Sequence, residues 1–295
     1  MNHRLLSQKE KFFEVAIKKL GTIPLDFSEK MQFIKETPNT KELHQAAGVL
    51  LLLNFRENHR PSAERGGEFT FRFIKRSAIV AQPGDLSCSG GFLRPVLDSC
   101  LRPLLTSGLI PVLQGDALKY ARGRDAGTFR LMTLFLANAL RESWEEIGIS
   151  PWNVLFLGPL PTYSLTLYRR IIFPLVGFIK KPCSTRLKSE VDRIVEIPLQ
   201  SFFDEGNYGL YTTDVSEQSR LNYQELCHPC FIHRDDEGRE EILWGATFNI
   251  AVNFLQAVLD YNLPDMSTKK MIKMKRHPRY LEMIRSRLPS SKTDS

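Results

Sequence analysis

Three carboxylates lie close together in one short stretch of the chain, Arg141-Glu142-Ser143-Trp144-Glu145-Glu146-Ile147-Gly148-Ile149. Glu142, Glu145 and Glu146 are spaced i, i+3 and i+4, so a helix would project all three from one face. Carboxylates gathered in this way repel one another unless a cation lies among them. Hard divalent cations such as Mg²⁺ take oxygen ligands of this kind, commonly together with substrate phosphates. The stretch therefore predicts a divalent-metal site on a helix.

The residues before this stretch predict the helix that must carry it. Residues 128–147 contain neither Pro nor Gly. The face opposite the glutamates carries three apolar residues and one serine: Leu136, Leu140, Ser143 and Ile147. We expect the Ser143 hydroxyl to donate to a carbonyl one turn earlier, and Gly148 to end the helix in a left-handed cap. The glutamates taken alone would also fit a charged surface helix.

The nine residues resemble the C-terminal half of the Nudix box, G-x5-E-x7-R-E-U-x-E-E-x-G-U, where U is a bulky apolar residue. Ser143 stands at the first apolar position of this half. The resemblance implies a diphosphatase that depends on Mg²⁺ or Mn²⁺, with Glu142, Glu145 and Glu146 as metal ligands. Glu145 would also take part in catalysis, and Arg141 would orient a glutamate of the box through a bidentate pair.

The first half of the box can be aligned in two ways. Direct counting places Gly127 at the glycine and Thr133 where the box has glutamate. Alternatively, residues 84–91, GDLSCSGG, resemble the G-x-x-S-F-P-G-G segment of the coenzyme A diphosphatase branch, and residues 73–78, FIKRSA, resemble its L-L-T-x-R-S-A signature. Two matches in order favour the second alignment. It implies Arg76, Gly90 and Gly91 as substrate-binding residues.

Later segments extend the resemblance over about residues 45–262. Residues 157–163, 171–179, 190–199 and 242–247 are similar in order to the strands and the last helix that follow the box in this branch. The implied fold is α/β (α+β): a Nudix fold with a mixed β-sheet sandwiched between helices. We expect a helical N-terminal extension at 1–46, a Nudix domain at 47–262 and a basic C-terminal tail at 263–295. Glu190 is the candidate general base, although an exposed glutamate at a strand end is an equal interpretation.

The second alignment places a helical insertion at residues 92–128. Its leucine-rich spacing predicts helices, which could form a lid over substrate or a packing or dimerisation element. Arg122 and Arg124 at its basic end could contact phosphate, but solvated loop arginines are the favoured interpretation.

The resemblance implies hydrolysis of coenzyme A or an acyl-coenzyme A to 3′,5′-ADP and 4′-phosphopantetheine. Gln82, Cys88 and Ser89 depart from the branch pattern in the segment associated with coenzyme A recognition. The alternatives are another nucleoside-diphosphate-linked substrate, such as ADP-ribose, NADH or a dinucleoside polyphosphate, and a non-catalytic nucleotide-binding regulator. The retained glutamates favour an enzyme whose partner is a small-molecule nucleoside-diphosphate substrate, with a possible homodimer.

Bulk composition excludes several other classes. The 295 residues carry a net charge of +7, with 42% hydrophobic and 25% charged residues. These values are ordinary for a globular protein. The absence of an 18-residue apolar run or an apolar signal segment predicts a cytoplasmic protein with no membrane partner. Five scattered cysteines do not suggest a disulfide framework.

Two further patterns have alternative interpretations. Residues 269–277, KKMIKMKRH, begin the basic tail and could bind nucleic acid, but a solvated basic helix is favoured and no nucleic-acid partner is expected. Cys227-His228-Pro229-Cys230 has the spacing of a zinc half-site or a redox pair. No second pair accompanies it, so ordinary loop residues are favoured.

Overall fold

The computed structural model describes residues 5–36, 44–57, 67–80, 82–165, 169–213, 227–235 and 237–274. The α-helices in this part are α1 (Lys9–Thr22), α2 (Phe27–Glu36), α3 (Pro95–Thr106), α4 (Gly115–Arg122), α5 (Ala126–Ile147) and α6 (Gly245–Leu259). The strands are β1 (Gln45–Glu57), β2 (Gly67–Arg76), β3 (Leu86–Ser87), β4 (Ser89–Phe92), β5 (Val154–Pro159), β6 (Tyr163–Leu165), β7 (Arg170–Ile179), β8 (Val191–Pro198), β9 (Tyr208–Thr213), β10 (Cys227–Arg234), β11 (Glu240–Trp244) and β12 (Lys270–Met274).

Strand β1 is the central strand of the larger sheet. Its first half pairs with β4 and its second half with β2, both antiparallel, on one edge. Its other edge pairs with β7 in parallel. Strands β3 and β8 extend the sheet beyond β2, and β5 and β6 pair with β7. The sheet is therefore mixed.

Both faces of β1 are buried, which explains its unbroken run of apolar residues. Leu51 and Leu53 pack into a core shared with α1 and α6. Leu50 and Leu52 face the other way, into a core shared with α5 and the insertion helices. The fold class expected from the sequence, a mixed sheet between helices, is confirmed.

The N-terminal helices are integrated into this domain. Phe12 of α1 is fully buried, and its ring stacks on Phe69 of β2 with 4.0 Å between centroids. Phe27 of α2 is also fully buried, 5.0 Å from the Phe173 ring. Residues 1–46 were expected as a helical extension, and their described helices pack their buried faces against the cores of the domain.

Helix α5 agrees closely with its prediction. It begins at Ala126, where the Asp125 side chain accepts a hydrogen bond from the Thr128 amide at 2.9 Å. It ends at Gly148, whose φ of 72° makes a left-handed cap. The Ser143 hydroxyl donates to the Ala139 carbonyl at 2.8 Å, one turn earlier as expected.

The insertion forms α3 and α4 and packs beside α5. Arg124, after α4, donates to the carbonyls of Leu20, Gly21 and Ile23 at 2.8 to 3.1 Å. It therefore satisfies the free carbonyls at the end of α1, and burial lowers the pKa of its guanidinium. Arg124 is therefore neither the solvated loop arginine that was favoured nor placed for the alternative, a phosphate contact. Arg122 is exposed at the end of α4, as the favoured interpretation expects.

A smaller four-stranded sheet corrects two sequence interpretations. Residues 270–274 form β12, which pairs in parallel with β9, so the described start of the basic tail is a strand rather than a helix. Residues 275–295 lie outside the described residues. Cys227 and Cys230 lie on strand β10 rather than in a loop. Their separation by three places them on opposite faces of that strand.

Within the described residues, no helix is long and apolar enough to cross a membrane.

Candidate active site

Strand β4 runs directly beside the clustered glutamates of α5. Ser89 Oγ and the Gly90 amide donate to Glu146 Oε2 at 2.7 and 3.1 Å. A Cβ at Gly91 would lie 2.6 Å from the Glu142 carboxyl carbon, so glycine leaves room for this carboxylate. The two glycines therefore allow the strand backbone to approach both glutamates.

Asn138 links the glutamate-bearing helix to the sheet. Its side-chain oxygen accepts from the Gly48 amide of β1 at 2.8 Å. Its side-chain nitrogen donates to the Phe92 carbonyl of β4 at 3.0 Å. Since Asn138 is fully buried, these bonds set the distance between α5 and the two strands.

Arg141 lies behind the glutamates at the centre of a charged network. Its Nη1 donates to Glu142 Oε1 at 2.7 Å and to Glu145 Oε2 at 3.2 Å. Its Nε and Nη2 donate to the two oxygens of Asp98 on α3 at 2.7 and 3.3 Å. Burial lowers the pKa of Arg141, but the hydrogen bonds that it donates to Asp98 and Glu142 outweigh burial and raise that pKa overall. The guanidinium stays charged.

Glu146 is the most perturbed carboxyl group of the cluster. Its pKa is raised to about 7 overall: burial raises it most, the hydrogen bonds from Ser89 and Gly90 lower it, and the charge of Glu142 raises it. The charge of Arg76 acts in the lowering direction. At neutral pH a carboxyl group with this pKa is partly protonated, and a cation bound nearby would stabilise its charged form.

A loop at residues 180–190 closes the C-terminal end of α5. The amides of Arg186 and Lys188 donate to the carbonyls of Ile147 and Glu146 at 3.1 and 3.0 Å. These bonds satisfy carbonyls that a helix end leaves free. They also carry Arg186, Lys188 and Glu190 to the mouth of the site.

These elements enclose a cleft of about 780 Å³. Its acidic lining residues are Glu142, Glu145, Glu146 and Glu190. Its cationic lining residues are Arg76, Arg94, Arg170, Arg186 and Lys188. Carboxylates on one helix thus face guanidinium and ammonium groups from other elements, an arrangement suited to a metal ion together with a phosphate-bearing ligand.

Most of the residues singled out from the sequence meet at this cleft. Arg76, Gly90, Gly91, the three glutamates of α5 and Glu190 line it. Arg141 is buried beneath the glutamates and contacts two of them. Gly127 lies in the first turn of α5 and Thr133 is buried within it. The geometry therefore favours the alignment through Gly90 and Gly91.

Several residues of the site were not predicted from the sequence. Asp98, Leu101 and Leu105 lie at i, i+3 and i+7 on α3, so an aspartate stands on an apolar helix face. That pattern signals a buried cationic partner. Arg170 and Lys188 had no such signal, because their proximity to α5 arises only from the tertiary fold.

The donor chemistry of the glutamates fits a hard divalent cation. Each carboxylate has one oxygen held by the protein, while Glu142 Oε2, Glu145 Oε1 and Glu146 Oε1 accept no hydrogen bond from the described residues. Within that same part of the chain, no three His, Cys, Asp or Glu side chains converge as a ready-made metal cage. To bind one ion, the three carboxylates would have to turn these other oxygens toward a common point, while Arg141 and Ser89 keep the oxygens that they already bond.

The sequence matches no family model. Solved structures with a similar fold include an Ap4A hydrolase from C. elegans, at 13% identity over 52% of this chain and 80% of that chain, with a TM-score of 0.32. A MutT protein from Methanosarcina mazei Go1 is 15% identical over 56% and 83%, with a TM-score of 0.31. A NUDIX hydrolase from Nitrosomonas europaea is 10% identical over 77% and 80%, with a TM-score of 0.32. At these identities and TM-scores, the matches carry no conclusion about the family or activity of this chain.

Proposed function

We propose that this protein is a Nudix-type diphosphatase that hydrolyses the diphosphate linkage of a nucleoside-diphosphate derivative. The observation that carries the proposal is the cleft, in which three carboxylates of one helix face five cationic side chains. A non-catalytic binding module has no need of clustered carboxylates beside a phosphate-binding surface, because they repel the ligand unless a metal ion intervenes.

The proposed metal ion is Mg²⁺ or Mn²⁺, held by Glu142, Glu145 and Glu146. Support comes from their oxygen donors, from the space that Gly91 leaves for Glu142 and from the raised pKa of Glu146. When bound, such an ion polarises phosphoryl oxygens and lowers the pKa of bound water.

The side chains of the cleft have distinct proposed tasks. Arg76, Arg170 and Lys188 bind the phosphoryl oxygens and neutralise the charge that builds up there during phosphoryl transfer. Arg141 holds Glu142 and Glu145 in place. Glu190 lines the cleft with an exposed carboxylate and accepts the proton of the attacking water.

The proposed substrate is coenzyme A or an acyl-coenzyme A, cleaved to 3′,5′-ADP and 4′-phosphopantetheine. Support comes from the order of the sequence segments around Arg76 and Gly90 and from a cationic lining that can bind a 3′-phosphate as well as the diphosphate. Two residues that depart from the coenzyme A branch pattern have defined positions in the structure: Cys88 is buried, and Ser89 donates a hydrogen bond to Glu146.

The proposed setting is the cytoplasm, since all five cysteines are free. A homodimer remains a prediction.

Product analysis by phosphorus NMR tests the proposal. Coenzyme A, acyl-coenzyme A, ADP-ribose, NADH and dinucleoside polyphosphates are offered with Mg²⁺ or Mn²⁺, to the wild type and to Glu146→Gln. We expect coenzyme A to yield the two products above, and the variant to lose the activity. Cleavage of another compound would keep the enzyme and change the substrate. No cleavage by the folded, metal-supplied protein would contradict the proposed function.

A melting experiment tests the metal site without substrate. Mg²⁺ or Mn²⁺ should raise the Tm of the wild type, because a ligand that binds the native state stabilises it. Glu145→Gln and Glu146→Gln should abolish the shift. Glu29→Gln, an exposed glutamate on α2, is the matched control and should keep it.

A further inference from the structure

A buried carboxylate from the insertion contacts the arginine of the glutamate cluster. Asp98 on α3 is fully buried, and Arg141 on α5 is 8% exposed. Their two-bond pair uses both carboxylate oxygens, and the Arg94 amide adds a bond to Asp98 Oδ2 at 2.7 Å. Asp98 does not line the cleft, and its side-chain partner there is Arg141, which holds two of the cleft glutamates.

We infer that Asp98 is a positioning residue for the metal-binding glutamates. Resting on the proposed function, this inference assigns the insertion a task in that same site. The guanidinium is planar, so a carboxylate that fixes Nε and Nη2 also fixes the direction of Nη1. Nη1 is the atom that holds Glu142 and Glu145. Asp98 thereby sets where these two carboxylates lie.

No carboxylate on α5 itself substitutes for Asp98 behind Arg141. Thr133, at the box position where glutamate was expected, lies eight residues earlier on the same helix, about 12 Å along its axis. Its hydroxyl donates to the carbonyls of Phe129 and Arg130. The carboxylate comes instead from a helix that precedes α5 in sequence.

The attachment of α3 fits this task. Pro95 at the start of the helix sets its direction, and the Asp98 amide donates to the Arg94 carbonyl at 2.9 Å. Leu105 lies two helical turns after Asp98 on the same face of α3, and it is buried in the core shared with α5. The helix is thus anchored at both ends, which holds the Asp98 carboxylate in one place.

The decisive experiment compares Asp98→Asn with Leu105→Ala. Both remove a buried contact of α3, but only the first removes the negative charge that pairs with Arg141. We expect Asp98→Asn to raise the Mn²⁺ concentration needed for half-maximal activity by about 10- to 100-fold, as when the partner that orients a metal ligand is lost. Leu105→Ala should lower the Tm and leave the Mn²⁺ requirement unchanged. Equal Mn²⁺ requirements in the two variants would overturn the inference.

A double variant tests whether Asp98 acts through Arg141. In an Arg141→Lys background the planar fork is absent, so adding Asp98→Asn should change the Mn²⁺ requirement by less than about twofold, well short of additivity. A multiplicative effect would show that Asp98 acts by another route and would overturn the inference.

Asp98→Glu covers the case in which Asp98→Asn does not fold. It keeps the charge but adds a methylene in a fully buried position, which must displace the guanidinium. A severalfold higher Mn²⁺ requirement is expected. An unchanged requirement in the folded Asp98→Glu protein would contradict the inference.

A spectroscopic readout separates this inference from the proposed function. Should the wild type cleave no compound, the proposed function fails, and the Arg141 Nε–H signal in ¹H–¹⁵N spectra still decides the positioning. It should exchange slowly with water in the wild type and rapidly in Asp98→Asn or Asp98→Glu. Equally slow exchange in the variant would refute the role of Asp98.

Discussion

Glu146 combines two opposing environments at a single residue. Burial disfavours its charged form, while Ser89 and Gly90 donate hydrogen bonds that favour it. Burial has the larger effect, so the pKa of Glu146 rises to about 7. A proton and a divalent cation would therefore compete for this carboxylate near neutral pH.

The raised pKa predicts a specific dependence of stability on pH. Because the native state binds the Glu146 proton more tightly than the unfolded state, its stabilising contribution is complete below about pH 4.5 and is lost as pH rises through about 7. Relative to Glu146→Gln, the wild type should lose about 3 kcal/mol of unfolding free energy between pH 4.5 and 8. Urea unfolding in EDTA measures both proteins across this range.

Parallel stability curves for the two proteins would show that Glu146 titrates normally. Added Mn²⁺ provides a second check. It should stabilise the wild type relative to Glu146→Gln more at pH 8, where the carboxylate is charged, than at pH 5.

At the scale of elements, the contact of β4 with α5 predicts different outcomes at two adjacent glycines. The methyl group added by Gly91→Ala would contact the end of the Glu142 side chain, which can move. The free energy of unfolding should therefore change by less than about 1 kcal/mol, while the Mn²⁺ concentration needed for half-maximal activity rises. Gly90→Ala meets the backbone of β1, with Val49 Cα at 2.6 Å, and Gly90 has a φ of 154°. It should lose at least about 2 kcal/mol. Urea unfolding and Mn²⁺ titration distinguish the two.

A large loss of stability in Gly91→Ala, or none in Gly90→Ala, would contradict the geometry of this contact.

Local signals made α5 the most predictable element. Its apolar spacing, the C-terminal Gly148 and the bond of Ser143 to its own helix depend only on residues within a few positions. The sheet around β1 also followed from a local pattern, because a run buried on both faces must be apolar throughout.

The remaining part of the site depends on long-range contacts that one sequence does not specify. Asp98 was recognisable as an acid on an apolar face, but its partner Arg141 was not. The sequence of β12 was interpreted as a basic helix. Its conformation is a strand because it pairs with β9, which lies far away in the sequence. Arg124 looks like a phosphate ligand until the end of α1 provides its carbonyl acceptors.

At the scale of the whole molecule, α1 should behave as part of the domain core. Phe12→Ala removes a fully buried ring that stacks on Phe69, and should cost about 3 to 5 kcal/mol. Phe33→Ala, on α2, removes a ring that is 44% exposed and should cost about 1 kcal/mol or less. Denaturant unfolding measures both, and equal small losses would indicate a separable N-terminal extension.

The parallel pairing of β1 with β7 has a consequence for synthesis on the ribosome. Gln45 pairs with Arg170, so β1 emerges well before its parallel partner exists. At ordinary elongation rates this interval lasts roughly 10 s. Throughout it, one edge of the central strand lacks its parallel partner. The face that carries Leu51 and Leu53 also lacks α6, which is translated later still. Nascent chains should therefore bind chaperones until β7 emerges, and the domain should mature late in translation.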